Sequence, residues 1–202
     1  MSDKADRELG RVRREAAGCR RCELWKRGTQ TVFGSGPTSS RLMLVGEQPG
    51  DQEDKEGEPF VGPAGRLLRE SLEEAGIDVS GVYLTNAVKH FKWIERGKRR
   101  IHDRPNREEI LACRAWLDQE VALVKPAAIV ALGATAASVL LGSKARVIRD
   151  RGKWFESPLA PMVTLTVHPS SILRAPDPAA RRLARTQFVR DLKAIARRLS
   201  SL

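Results

Sequence analysis

The run Ala127 to Leu132 is apolar at every position, so it offers no polar side to water. Such a strand is stable only where both faces of its sheet are covered, which points to a central parallel strand between two layers of helices. Leu42-Met43-Leu44-Val45 has the same character and then breaks into Gly46-Glu47-Gln48-Pro49-Gly50-Asp51, followed by Glu58-Pro59-Phe60-Val61-Gly62-Pro63-Ala64-Gly65. A parallel strand that ends in a Gly/Pro turn delivers its next polar residues to the carboxyl edge of the sheet, where open α/β folds bind ligands. The loop reads as an active site of carboxylates beside an aromatic shelf; a solvated acidic loop is the alternative.

The rest of the chain alternates in the same way. A helix from about Pro63 to Ala75 has Leu67, Leu68, Ser71 and Leu72 on one face and Gly76 as its stop. Val82 to Val88 is a second strand. Asn106 with Glu109 resembles a capping box, after which Ile110, Leu117, Val121 and Val124 follow at helical spacing. Gly133 leads into a short helix through Leu141, and further strands lie near Lys153 to Glu156 and Met162 to Val167. Pro178 starts a terminal helix with Phe188, Leu192, Ile195 and Leu199 inward. Ala5 to Ala17 is a helix with few apolar positions, for which weak packing is expected, and Lys89 to Arg107 is basic and without periodicity.

With 202 residues and no linker or internal repeat, one domain is expected. Thirty-six Lys and Arg against 25 Asp and Glu give +11, a balance that favours a polyanionic partner through counterion release. Met1 to Glu15 lacks the apolar core of a signal peptide, and no apolar stretch approaches membrane-spanning length. The expectation is a soluble intracellular protein with no membrane partner.

Three cysteines, Cys19, Cys22 and Cys113, argue against a disulfide framework and for metal or redox chemistry. Cys19 and Cys22 have metal-ligand spacing, and Cys113 could join them. A fourth ligand would come from His90, His102 or His168. Zinc and an iron-sulfur cluster satisfy that count equally, and ordinary buried thiols are the third possibility.

Taken together, GEQPG (46–50), EPFVGPAG (58–65), TNAVK (85–89), the two N-terminal cysteines and HPSSILR (168–174) resemble the family 4 uracil-DNA glycosylases. The basic loop at about 90–107, which contains Lys98-Arg99-Arg100-Ile101-His102, is similar still more closely to UdgX, their covalently trapping relative. The resemblance implies a three-layer α/β/α sandwich around a four-stranded, mainly parallel sheet, spanning 1–202 as one domain. It implies uracil-containing DNA, single- or double-stranded, as partner, and a monomer in the bacterial cytoplasm or nucleoid. It also implies a 4Fe-4S cluster. Here Lys89-His90 stands where the family has Lys-Cys, so the implied ligands are Cys19, Cys22, His90 and Cys113.

Uracil recognition follows from chemistry placed on those motifs. A base in a duplex must leave the stack before an enzyme reaches it. Phe60 offers a stacking face, and the Asn86 amide matches O4 and N3–H of uracil while cytosine presents the opposite pattern. By resemblance, His168 donates to uracil O2, Glu47 acts near C1′ with Asp51 and Gln48 in the same loop, and Ile172 is the apolar wedge that replaces the flipped nucleotide. Lys98, Arg99, Arg100, Ser170 and Arg174 are the expected DNA contacts, with Lys92, Arg96, Arg104 and Arg107 around them.

His102 sits among these cations and offers a ring nitrogen as a nucleophile. The resemblance implies that it attacks C1′ in place of water and leaves the protein attached to the abasic site. A turnover family 4 glycosylase, with His102 merely on a phosphate, is the nearest alternative. A non-catalytic iron-sulfur nucleic-acid-binding module is the alternative of another class.

Overall fold

A computed structural model describes residues 2–201; Met1 and Leu202, the two ends of the expected domain, lie outside the described residues. The chain opens with α1 (Ser2–Ala17) and a 3-10 turn at Glu23–Lys26. β1 (Leu42–Gly46) is followed by α2 (Asp51–Glu56), α3 (Pro63–Glu74) and β2 (Val82–Asn86). Then come β3 (Trp93–Arg96), β4 (Arg99–His102), α4 (Arg107–Val124), β5 (Ala128–Leu132) and α5 (Ala134–Leu141). The chain closes with α6 (Val147–Asp150), β6 (Trp154–Ser157), β7 (Ala160–Thr166), α7 (Pro169–Leu173) and α8 (Pro178–Ser200).

The central sheet runs β2-β1-β5-β7-β6, parallel except for β6. It therefore has five strands among the described residues, not four. All five match segments read as strands from the sequence; β6 reaches β7 through a tight turn and so can only pair with it antiparallel. Alternate side chains feed opposite layers. Met43, Val45, Tyr83, Ile129, Ala131, Val163 and Leu165 join α1, α4 and α5, while Leu42, Leu44, Leu84, Val130 and Leu132 join α3, α7 and α8.

Two local expectations are corrected. α1 is not weakly packed: Leu9, Val12 and Ala16 are buried with Phe33, Trp116 and Leu117. The basic stretch is not an irregular loop either, because β3 and β4 form an antiparallel hairpin with Trp93 opposite His102, Ile94 opposite Ile101 and Glu95 opposite Arg100. The Asn106 capping box is present. The Asn106 side chain accepts from the Glu109 amide at 2.9 Å, and the Asn106 amide donates to the Glu109 carboxylate at 2.7 Å. Among the described residues no helix is long and apolar enough to cross a membrane.

Candidate active site

β2 lies on one side of β1 and β5 on the other, so the strand order reverses at β1, the kind of point beyond whose carboxyl strand ends open α/β sheets bind ligands. Gly46 pairs with Asn86 across the ends of β1 and β2. A β-carbon at position 46 would meet Phe60 Cζ at 2.8 Å and collide with Asn86 Oδ1, so the missing side chain lets ring and amide converge. Asn86 is buried. Phe60 holds a φ of 58°, an unusual conformation for an aromatic residue, and its carbonyl packs where any side chain on Gly65 would stand. The Glu53 carboxylate steadies this turn by accepting from the amides of Gly50 at 3.1 Å and Gly62 at 2.8 Å.

His168 caps α7 and stacks on Phe60, with ring centroids 6.2 Å apart and planes inclined by 26°. Its Nδ1 accepts from the Ser170 amide at 3.2 Å and pairs with the Ser170 hydroxyl at 2.8 Å. An accepting Nδ1 assigns the ring proton to Nε2, which becomes a donor. Burial, then the charges of Arg174 and the proximity of His102, push this imidazole down to about 4, so it is neutral at physiological pH.

Glu47, just past β1, accepts a hydrogen bond from the Thr135 hydroxyl at the start of α5. The His102 Nε2 lies 3.4 Å from Oε1 of the same carboxylate, and Arg104 Nε lies 3.8 Å from Oε2. His102 reaches this point because the hairpin is anchored at its base and along its inner face. The Gln48 amide nitrogen donates to the carbonyls of Lys92 and Asp103, each at 3.0 Å, and its oxygen accepts from the Lys92 amide at 3.2 Å. Arg100 is held by Asp51 at 2.6 Å and by fully buried Asp54 at 2.7 Å, and lies over the rings of Phe91 and Trp93. Burial works against ionised Asp51, but hydrogen bonds from Lys55 and Arg100 hold its carboxyl below the usual range.

These placements divide the sequence-derived residues. Glu47, Phe60, Asn86, His102 and His168 are brought together. Gln48, Asp51, Arg100 and Ser170 are engaged inside the protein: the first three hold the hairpin and Ser170 orients His168. Ile172 is 1% exposed and packs with residues of α3 and α8. Lys98, Arg99 and Arg174 are exposed. Thr135 and Asp54 were missed; a Thr at the head of the helix after an all-apolar strand, and a second Asp in the acidic loop, were the available signals.

The four expected metal ligands are only partly gathered. Cys22 and Cys113 interact directly, which pulls the Cys22 thiol down to about 6 and pushes Cys113 up. Cys19 Sγ instead accepts from Trp116 Nε1 at 3.2 Å. His90 Nε2 meets the Thr31 hydroxyl at 3.0 Å, and its Nδ1 is buried without a partner. Burial also pushes this imidazole down, against the opposing charge of Asp54. Among the described residues no three His, Cys, Asp or Glu side chains are grouped to hold a metal ion.

An open α/β sheet that gathers an acid, an amide, an aromatic ring and a donor imidazole near its switch point is a candidate site for a polar ligand. The sequence comparisons make this class specific. The chain belongs to the uracil-DNA glycosylase superfamily, whose profile matches residues 33–193. It is 35% identical to a type-4 uracil-DNA glycosylase of Pyrobaculum aerophilum over 192 residues, 92% of this chain and 91% of that protein. A type-4 uracil-DNA glycosylase of Thermotoga maritima is 40% identical over 157 residues, 77% and 78% of the two chains. That of Archaeoglobus fulgidus is 33% identical over 194 residues, 93% and 91%.

Proposed function

We propose that this chain excises uracil from DNA and then captures the abasic site covalently through His102, as UdgX-like proteins do. The observation that carries the reading is His102 at 3.4 Å from Glu47, beside the slot walled by Phe60, Asn86 and His168. Excision alone would need the slot; an imidazole delivered to its carboxylate by an anchored hairpin suits a second step.

In the proposed reaction, uracil stacks on Phe60 and is read by the Asn86 amide. The C1′–N1 bond breaks with its electron pair leaving on uracil, and the charge that accumulates on O2 is met by the His168 Nε2 proton. The Glu47 carboxylate stabilises the cation left at C1′. The lone pair of a His102 ring nitrogen then forms the N–C1′ bond, and the imidazolium loses its other N–H proton to a neighbouring base or water. Lys98, Arg99 and Arg174 supply phosphate contacts. The protein is proposed to act as a cytoplasmic monomer.

A 4Fe-4S cluster on Cys19, Cys22, His90 and Cys113 belongs to the same proposal. The buried, unpartnered Nδ1 of His90 supports it, since a polar atom so placed ordinarily has a partner. When bound, such a group cross-links the segment after α1 to α4 and to the root of the hairpin; the base-excision steps do not involve it.

The test is incubation with uracil-containing and unmodified oligonucleotides, followed by a denaturing gel and peptide mapping. The proposal expects a denaturant-resistant adduct only with uracil DNA, with deoxyribose on His102. Free product without adduct identifies a turnover glycosylase, and neither product identifies a binding module.

A further inference from the structure

Lys89 and Glu120 form an ion pair of 2.5 Å in which both side chains are 0% exposed. None of the proposed chemical steps uses it. A buried ion pair is a poor source of stability, because desolvation of both charges offsets much of their attraction. Its better-attested use is to specify one arrangement among several.

The arrangement specified here is the end of β2. The Lys89 ammonium has three protons and three acceptors: Glu120 Oε2 at 2.5 Å, the Thr85 hydroxyl at 2.7 Å and the Asn86 carbonyl at 2.8 Å. Glu120 accepts in turn from the Gly34 amide at 2.8 Å, the Thr85 hydroxyl at 2.9 Å and the Tyr83 hydroxyl at 3.2 Å. The network is closed and grips both residues that end the strand, while the Asn86 side chain stands against Gly46. Asn86 thus has its backbone held from one side and its amide presented on the other.

We propose that the Lys89–Glu120 pair is the positioning device for Asn86, fixing the orientation in which its amide reads the base. The inference rests on the reading of this slot as a uracil pocket. Base excision and selectivity should then depend on the pair, and affinity for unmodified DNA should not.

The test uses the full chain with Lys89→Met and Glu120→Gln combined, so that no uncompensated charge stays buried. Glu120→Gln alone is run beside it in case the double variant does not fold. Single-turnover uracil release should slow by about tenfold or more, as expected when a hydrogen-bonding reader is misplaced. Affinity for unmodified oligonucleotide should stay within about twofold, since phosphate contacts dominate it. Added to Asn86→Ala, the pair of substitutions should cost little more, whereas a purely structural role predicts additive losses. Asn86 side-chain amide resonances, assigned by comparison with Asn86→Ala, should shift or broaden. Release within about twofold of wild type in a folded variant, additive losses, or unmoved amide resonances would each overturn the inference. Should wild-type protein release no uracil, the proposed reaction fails and the amide resonances alone decide the positioning role.

Discussion

His102 Nε2 stands 3.4 Å from the Glu47 carboxylate, bringing the last residue of β4 to the end of β1. The same carboxylate accepts from Thr135, and its neighbour Gly46 is the residue against which Phe60 and the Asn86 amide stand. On the proposed reaction, that shared position would make excision and capture adjacent but separable events.

Replacing the imidazole should separate them. His102→Ser is expected to release uracil at a rate within about threefold of wild type while forming no adduct, because water then reaches C1′. A denaturing gel and a uracil-release assay on one preparation check both. An adduct that persists would mean a different nucleophile.

Gln48→Ala removes the side chain that ties Lys92 and Asp103, the two ends of the hairpin, to the end of β1. The hairpin should loosen and capture should fall by roughly tenfold or more, because small misplacements of a reacting group are costly. Uracil release should change less, and the ratio of free abasic product to adduct should rise.

The slot itself is tested by Asn86→Ala, which should lose uracil release by about a hundredfold or more while affinity for unmodified DNA stays nearly constant. Phe60→Leu should be milder, since an aliphatic side chain keeps part of the shelf. Equal losses of release and affinity in Asn86→Ala would make Asn86 a structural residue only.

His168 carries a pH signature. Its folded-state pKa of about 4 lies below the ordinary 6.5, so the unfolded chain binds a proton that the folded imidazole refuses. Stability contributed by the neutral ring is present above pH 6.5 and is lost as pH falls through about 4. The stability advantage of wild type over His168→Ser should therefore narrow across that window, by on the order of 2 kcal/mol after allowing for partial exposure. Thermal unfolding of both proteins at several pH values measures it.

Protein purified without oxygen should contain iron, and His90→Ala should lose or alter the visible spectrum. Stoichiometric zinc, or an unchanged spectrum in the variant, would remove His90 from the proposed ligand set.

The layer order was legible because all-apolar strands leave a chain few alternatives: Leu42–Val45 and Ala128–Leu132 had to be covered on both faces, and they are. Local chemistry was legible for the same reason. The Asn106 cap, the Pro63 helix start and the glycine-rich approach to Phe60 act over a few residues, and the backbone obeys them. The convergence of Glu47, Phe60, Asn86 and His168 also followed, since strand ends in a parallel sheet share one edge.

Only tertiary structure decided the rest. The hairpin has no apolar period because its inner face packs through Arg100, held by Asp51 and Asp54 and laid over Phe91 and Trp93, while Ile94 and Ile101 face solvent at 49% and 37% exposure. A motif placed Ile172 at a wedge position, yet the single turn of α7 buries it. Gln48, expected in the substrate loop, and Ser170, expected at DNA, have side chains bonded to the hairpin ends and to His168. Lys89 and Glu120 lie on different elements, and nothing in the spacing of either announces the other. Sequence determines what each segment must bury or expose locally; which charges find one another across segments depends on distances that exist only after the layers have closed.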